Sequence, residues 1–279
     1  MFRKQIAISA LALGMAFSGS AYAATQNFHL GFIMDESGSV DEDDYLDAMD
    51  SLAAALSASI PLATAAVSYE ITVVSFSTAA RVVVAPTVIN NGTDMTNVFN
   101  AISGDAYNGG STCYACAMDL MRTTVTSLSG APSETGILNM MTDGNNNTGG
   151  SASTASLALR TAGWDSLSFE SVEEFGSGPD NAALAALGFD TTTLAGTIGG
   201  IQILGQDDAG SIVDPLNKSF VLPVSAFGAA YNQAIATKVQ KIITPGPSPV
   251  PVPAALPLMA GGLSLLGLLG GWRRRRPAA

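Results

Sequence analysis

The chain has 279 residues, 47% of them hydrophobic and 13% charged. Six of its 12 basic residues sit in the two ends, which leaves the body with 6 basic against 23 acidic residues and a formal charge of −17. A surface this acidic argues against nucleic acid or anionic membrane as partners, and it suits cation uptake. The chain opens on Arg3 and Lys4, an apolar run over residues 6–17, and Ala21-Tyr22-Ala23, a small-x-small cleavage site. Residues 1–23 therefore read as a secretory signal peptide cut after Ala23; the run is short for an uncleaved anchor helix. With both ends set aside about 220 residues remain, the size of one α/β domain (residues 24–243), and no internal repeat divides them.

Residues 27–34 read as a first, central strand. A helix over 40–58 follows, with Tyr45, Met49, Leu52 and Leu56 at helical spacing and Asp41, Glu42, Asp43 and Asp44 in its first turns. That acidic run is favourable at the positive end of a helix dipole and reads as a solvated helix start. Residues 67–76 form a strong strand, and 81–84 a short one that pairs with it as a hairpin. Helices over 94–102 and 112–128 lead to a buried strand over 136–141, which ends at Thr142-Asp143-Gly144. A helix over 154–162, a strand over 166–172 and a last strand over 219–224 come next. Phe227, Tyr231, Ile235, Val239 and Ile242 then mark a closing helix. Residues 176–215 are Gly-, Ala- and Thr-rich and poorly legible, apart from a short helix near 182–187. Strands alternating with helices predict an α/β fold with a mostly parallel sheet covered on both faces.

Beyond the body, residues 244–253 (TPGPSPVPVP) form a Pro-rich, semi-rigid linker. Residues 254–272 carry no charge and as a helix would span about 28 Å, enough for a membrane core. Arg273 to Arg276 supply a cytoplasmic basic stop. A Pro-rich motif, one apolar helix and terminal arginines resemble sorting signals of the PEP-CTERM type, and Val250-Pro251-Val252-Pro253-Ala254 is close to the variant beginning Val-Pro-Leu-Pro-Ala. That resemblance implies processing by an exosortase, a membrane transpeptidase. A permanent tail anchor is the alternative, and in both cases the body faces outward.

Asp35-Glu36-Ser37-Gly38-Ser39 directly follows the first strand and places one carboxylate and two hydroxyls at alternate positions. Oxygen donors of this kind suit a hard divalent cation. Gly109-Gly110-Ser111-Thr112 precedes a helix, and Thr142-Asp143-Gly144 follows a buried strand. These three pieces, in order, resemble the von Willebrand factor type A domain and its metal-ion-dependent adhesion site, strongly over residues 30–144. The resemblance implies a doubly wound, six-stranded Rossmann-like sheet of order 3-2-1-4-5-6. It also implies a Mg2+ site, with Mn2+ or Ca2+ as substitutes. Ser37 and Ser39 match the family's direct hydroxyl ligands. Thr112 matches a hydroxyl that alternates between direct and water-mediated contact, and Asp35 and Asp143 match carboxylates that often bind through water. Glu36 occupies a variable slot and receives no role.

Cys113 and Cys116 form a C-x-x-C at the start of the helix after Thr112. In an exported protein a local disulfide is the simplest outcome, while a redox pair remains the alternative. Zinc is disfavoured, because His29 is the single histidine and no other cysteine exists. His29 lies in a strand, and no nucleophile with an activating base is evident, so an enzyme is not expected. The expected function is divalent-metal-dependent binding of an acidic protein or glycan at the bacterial cell surface, in the envelope or in extracellular matrix. The alternative is a structural or assembly factor of the envelope or exopolysaccharide matrix.

Overall fold

The structure, a computed structural model, describes residues 25–131, 133–173 and 178–243. The expected signal peptide, linker and C-terminal sorting helix lie outside these residues. Among the described residues, no helix is long and apolar enough to cross a membrane.

Among the described residues seven strands form one sheet: β1 (Gln26–Asp35), β2 (Val67–Phe76), β3 (Ala80–Val88), β4 (Glu134–Thr142), β5 (Ser166–Val172), β6 (Gln202–Ile203) and β7 (Phe220–Val224). Their spatial order is β3-β2-β1-β4-β5-β7-β6. Every neighbouring pair is parallel except β2 and β3, which form the expected hairpin. Among the described residues six α-helices cover the two faces: α1 (Glu42–Ser59), α2 (Gly92–Ser103), α3 (Tyr114–Thr124), α4 (Ala152–Thr161), α5 (Asn181–Leu187) and α6 (Ala229–Ile243). The expected sheet of six strands gains a seventh, because the illegible segment contributes the two-residue edge strand β6 beside α5 and a short 3-10 turn at Ala209–Ser211. Two residues leave too little periodicity to be read from sequence.

Alternation along β1 divides the core. Phe28, Leu30, Phe32 and Met34 pack with α1 and α6, whereas Ile33 faces α3 and α4. Gly31 points to the second face, where a Cβ would lie 2.4 Å from a Leu138 methyl and 2.8 Å from the Trp164 ring. Gly31→Ala is therefore expected to cost on the order of 1–3 kcal/mol in urea unfolding by overpacking.

β3 runs to Val88, four residues past the short strand expected over 81–84, and both ends of the helix expected over 112–128 differ for local reasons. The helix expected from residue 112 begins at Tyr114, because Cys113 caps it: the Cys113 Sγ accepts from the Cys116 N–H at 3.2 Å. Thr112 thus sits in the preceding loop, free of helical geometry. The helix also stops at Thr124, where Val125 turns extended. In the closing helix, Tyr231, Ile235, Val239 and Ile242 are buried as expected, but so is Lys238, and Phe227 lies before the helix start.

β1 and β4 are adjacent, yet the chain leaves them in opposite directions across the sheet. The crevice beyond their carboxyl ends is the topological switch point, where open α/β sheets place ligands. Asp35 at the end of β1 and Asp143 just after β4 both lie there.

Candidate metal centre

β1 delivers Asp35 as its last residue, and Asp35 is fully buried. One carboxylate oxygen accepts from the Ser37 N–H at 2.8 Å, and the other accepts from the Thr142 hydroxyl at 2.6 Å. These hydrogen bonds favour the charged form, but burial outweighs them, and with Asp143 nearby it pushes the Asp35 pKa up to about 7. Asp143 is also raised, again chiefly by burial, with the Ser39 hydroxyl opposing the shift.

The five expected side chains converge. The Ser37 and Ser39 hydroxyls lie 3.2 Å apart, and the Thr112 hydroxyl donates to the Ser37 Oγ at 3.1 Å. The Ser39 hydroxyl donates to an Asp143 carboxylate oxygen at 2.7 Å. Three neutral hydroxyls thus stand between two carboxylates whose burial disfavours their charge, and a cation offsets that cost. The donor set fits a small hard cation: all the donors are oxygens, and among the described residues no group of three His, Cys, Asp or Glu side chains forms a softer or more anionic cluster.

Side chains from the loop after β4 hold Thr112 in place. The Thr112 N–H donates to the Asn147 carboxamide oxygen at 2.9 Å, and the Thr112 carbonyl accepts from the Asn147 N–H at 3.0 Å. The next exposed helix donor, the Tyr114 N–H, is taken by the Asn146 carboxamide at 2.8 Å. Cys113 and Cys116 are joined by a disulfide with Cα atoms 5.3 Å apart. Gly149 closes over this bond with φ of +80°, and a Cβ there would lie 2.1 Å from the Cys113 sulfur. Only glycine fits.

A family model of the von Willebrand factor type A domain matches residues 29–195, more than half of the chain. The chain belongs to the von Willebrand factor type A family. Solved structures agree on the fold of this A domain. Proximal thread matrix protein 1 from the mussel byssus superposes with a TM-score of 0.53 at 15% identity, covering 78% of this chain and 47% of that one. A second structure of that protein, with a zinc-occupied MIDAS motif, gives 0.52 at 14% identity, over 78% and 47% of the two chains. A von Willebrand factor type A protein from Catenulispora acidiphila gives 0.50 at 15% identity, covering 78% and 43%. This chain thus spans about half the length of those proteins or less, and likeness at such identity speaks for the fold alone. No curated protein matches the sequence.

Within this A domain the structure adds residues that the motif did not single out. Glu36, given no role above, is buried and paired with Arg81. Thr142 donates to Asp35, and its oxygen lies 3.2 Å from the Tyr114 hydroxyl, so it links the end of β4 to the end of β1. The run Asn145-Asn146-Asn147 gave no local signal, because its side chains bond backbone N–H groups 32–35 residues away. Asn147 accepts from Thr112, Asn146 from Tyr114, and Asn145 from the Asp180 N–H at 2.8 Å. In the first turn of α1, Asp41 caps the helix while Glu42 and Asp43 are exposed, as expected of a solvated start.

A Ser-His-Glu group does form near the start of β1, away from this crevice. The His29 Nδ1 lies 2.9 Å from a Glu70 oxygen and 3.4 Å from the Ser127 hydroxyl. Serine and glutamate both approach the same ring nitrogen, whereas a nucleophilic relay needs one on each. The group is a hydrogen-bonded strand contact.

Proposed function

We propose that this A domain is an exported binding protein that takes an acidic protein or glycan through a divalent cation held by Ser37, Ser39 and Thr112, with Asp35 and Asp143 behind them. The observation that carries this reading is the convergence of three hydroxyls and two buried carboxylates at the switch point. When bound, the cation supplies a Lewis-acidic centre for a partner's carboxylate. The protein's part is to keep the nearest donors neutral: hydroxyls leave more of the cation's charge for an incoming anion than carboxylates do. Mg2+ is the expected occupant, with Mn2+ or Ca2+ as substitutes. Export follows from the signal peptide, and attachment to membrane or release by an exosortase-type enzyme follows from the sorting tail. Binding rather than catalysis is the reading, because the hydroxyls and carboxylates gathered at the crevice are the groups that would hold the cation.

Mature protein immobilised on a sensor is expected to retain an acidic polysaccharide or an acidic matrix protein in millimolar Mg2+. It is expected to release that partner in EDTA, and an Asp143→Ala variant to retain neither. Retention that survives both EDTA and Asp143→Ala would instead identify a metal-independent assembly module of the envelope or matrix.

A further inference from the structure

Glu36 stands between Asp35 and Ser37, and its residue is 1% exposed. Its carboxylate accepts from the Arg81 Nε at 3.2 Å, from the Arg81 Nη2 at 2.8 Å and from the Asn108 backbone N–H at 3.1 Å. The same guanidinium pairs with Asp105 through both terminal nitrogens, one contact being 2.7 Å, and also donates to the Ala106 carbonyl. Asp105 in turn accepts from the Tyr45 and Ser75 hydroxyls. Arg81 therefore ties two segments together. One is the β1–α1 loop, which carries Ser37 and Ser39; the other is the loop from residue 104 to 113, which carries Thr112. Two further bonds run the same way: the Gly38 N–H donates to the Gly110 carbonyl at 2.8 Å, and the Tyr107 hydroxyl donates to the Val40 carbonyl at 2.7 Å. The body has 6 basic residues. Among the described residues Arg81 is the one paired with carboxylates at this end of the sheet.

We propose that Arg81, held between Glu36 and Asp105, is a positioning residue that fixes the Thr112 hydroxyl against the Ser37 hydroxyl and so sets the cation affinity of the centre. The inference rests on the metal-binding reading above. A planar guanidinium with two forks suits the task, because it fixes distance and direction between two carboxylates at once, which a point charge does not. Residues that orient metal ligands without touching the metal commonly change affinity by about 10–100-fold when removed.

The test is calorimetric titration of Mn2+ into the metal-stripped mature protein, for wild type, Arg81→Met, Glu36→Gln, Thr112→Val and Glu36→Gln/Thr112→Val. Circular dichroism and urea unfolding would be run on each. Glu36→Gln keeps one acceptor oxygen, so it preserves the fold if Arg81→Met does not, but its NH2 cannot accept from the guanidinium and the two-point fork is broken. Glu36→Gln is expected to weaken Mn2+ binding by about 10-fold. It is expected to add nothing once the Thr112 hydroxyl is gone, because the two act through one distance. A merely structural role would lower the unfolding midpoint and leave the affinity of the folded protein unchanged. Wild-type affinity in Glu36→Gln, or losses that simply add in the double variant, would overturn the proposal while leaving the metal site standing. No Mn2+ binding by wild type would overturn the metal reading and the inference with it.

Discussion

Asp35→Asn is expected to make the metal-free protein more stable at pH 8, and to abolish any further stabilisation by Mg2+. The reason is the unfavourable burial of the Asp35 charge, which lifts its pKa from 3.8 to about 7. Between these values the folded state binds more protons than the unfolded one, so metal-free wild type loses stability as pH climbs from about 4 to about 7. Above pH 7 the loss is complete, and it amounts to something on the order of 2–4 kcal/mol. An asparagine is free of this penalty and fits the same hydrogen bonds. Its oxygen still accepts from the Ser37 N–H, and its amide donates to the Thr142 hydroxyl, which turns to the Gly144 carbonyl 3.1 Å away. Thermal unfolding in EDTA at pH 5 and pH 8 measures the effect. The gap between variant and wild type should be small at pH 5 and wide at pH 8. A variant that melts at or below wild type at pH 8 would show that the carboxylate is not strained by burial.

The second large effect lies in the core. Lys238 and Glu170 are almost fully buried, with the ammonium 3.2 Å from a carboxylate oxygen and 5.0 Å from the centre of the Phe220 ring. Burial pulls the lysine pKa down and the charge of Glu170 pulls it back up. Asn139 also donates to Glu170, while its own carboxamide oxygen has no hydrogen-bond partner among the described residues. Lys238→Met would leave a buried, uncompensated carboxylate and is expected to cost about 3–5 kcal/mol in urea unfolding at pH 7.5. Lys238→Met/Glu170→Gln should recover most of that loss, because the glutamine is neutral and brings a donor toward the unpaired Asn139 oxygen. A double variant no more stable than the single one would mean that packing, not charge, dominates at this site.

What was readable beforehand follows the range of the interactions. β1 and β4 are mostly apolar toward their carboxyl ends, β1 ending at Asp35 and β4 one residue before Asp143, so strand, turn and candidate ligand were legible from neighbours in sequence. The hydroxyls of Ser37 and Ser39 came with them, because alternate residues after a strand project together. Glu36 was not legible. Its partner Arg81 is 45 residues away on a hairpin strand, and nothing local distinguishes a buried glutamate from a solvated one. Lys238 was hidden in the same way, within an apolar stripe whose single charge is matched from β5. The start of α3 was misplaced by two residues, because the capping sulfur and the disulfide govern the backbone there more than helix propensity does. Edge strand β6 has only two residues, and its pairing with β7 is decided by the tertiary fold.

Ser37, Ser39 and Thr112 are expected to hold a divalent cation. The most direct measurement is a calorimetric titration of Mg2+ and of Mn2+ into metal-stripped mature protein at pH 8, with Thr112→Val alongside. One binding event per chain in wild type, markedly weakened in the variant, is the predicted result. Heats no larger than dilution for both cations in the wild-type protein would contradict it.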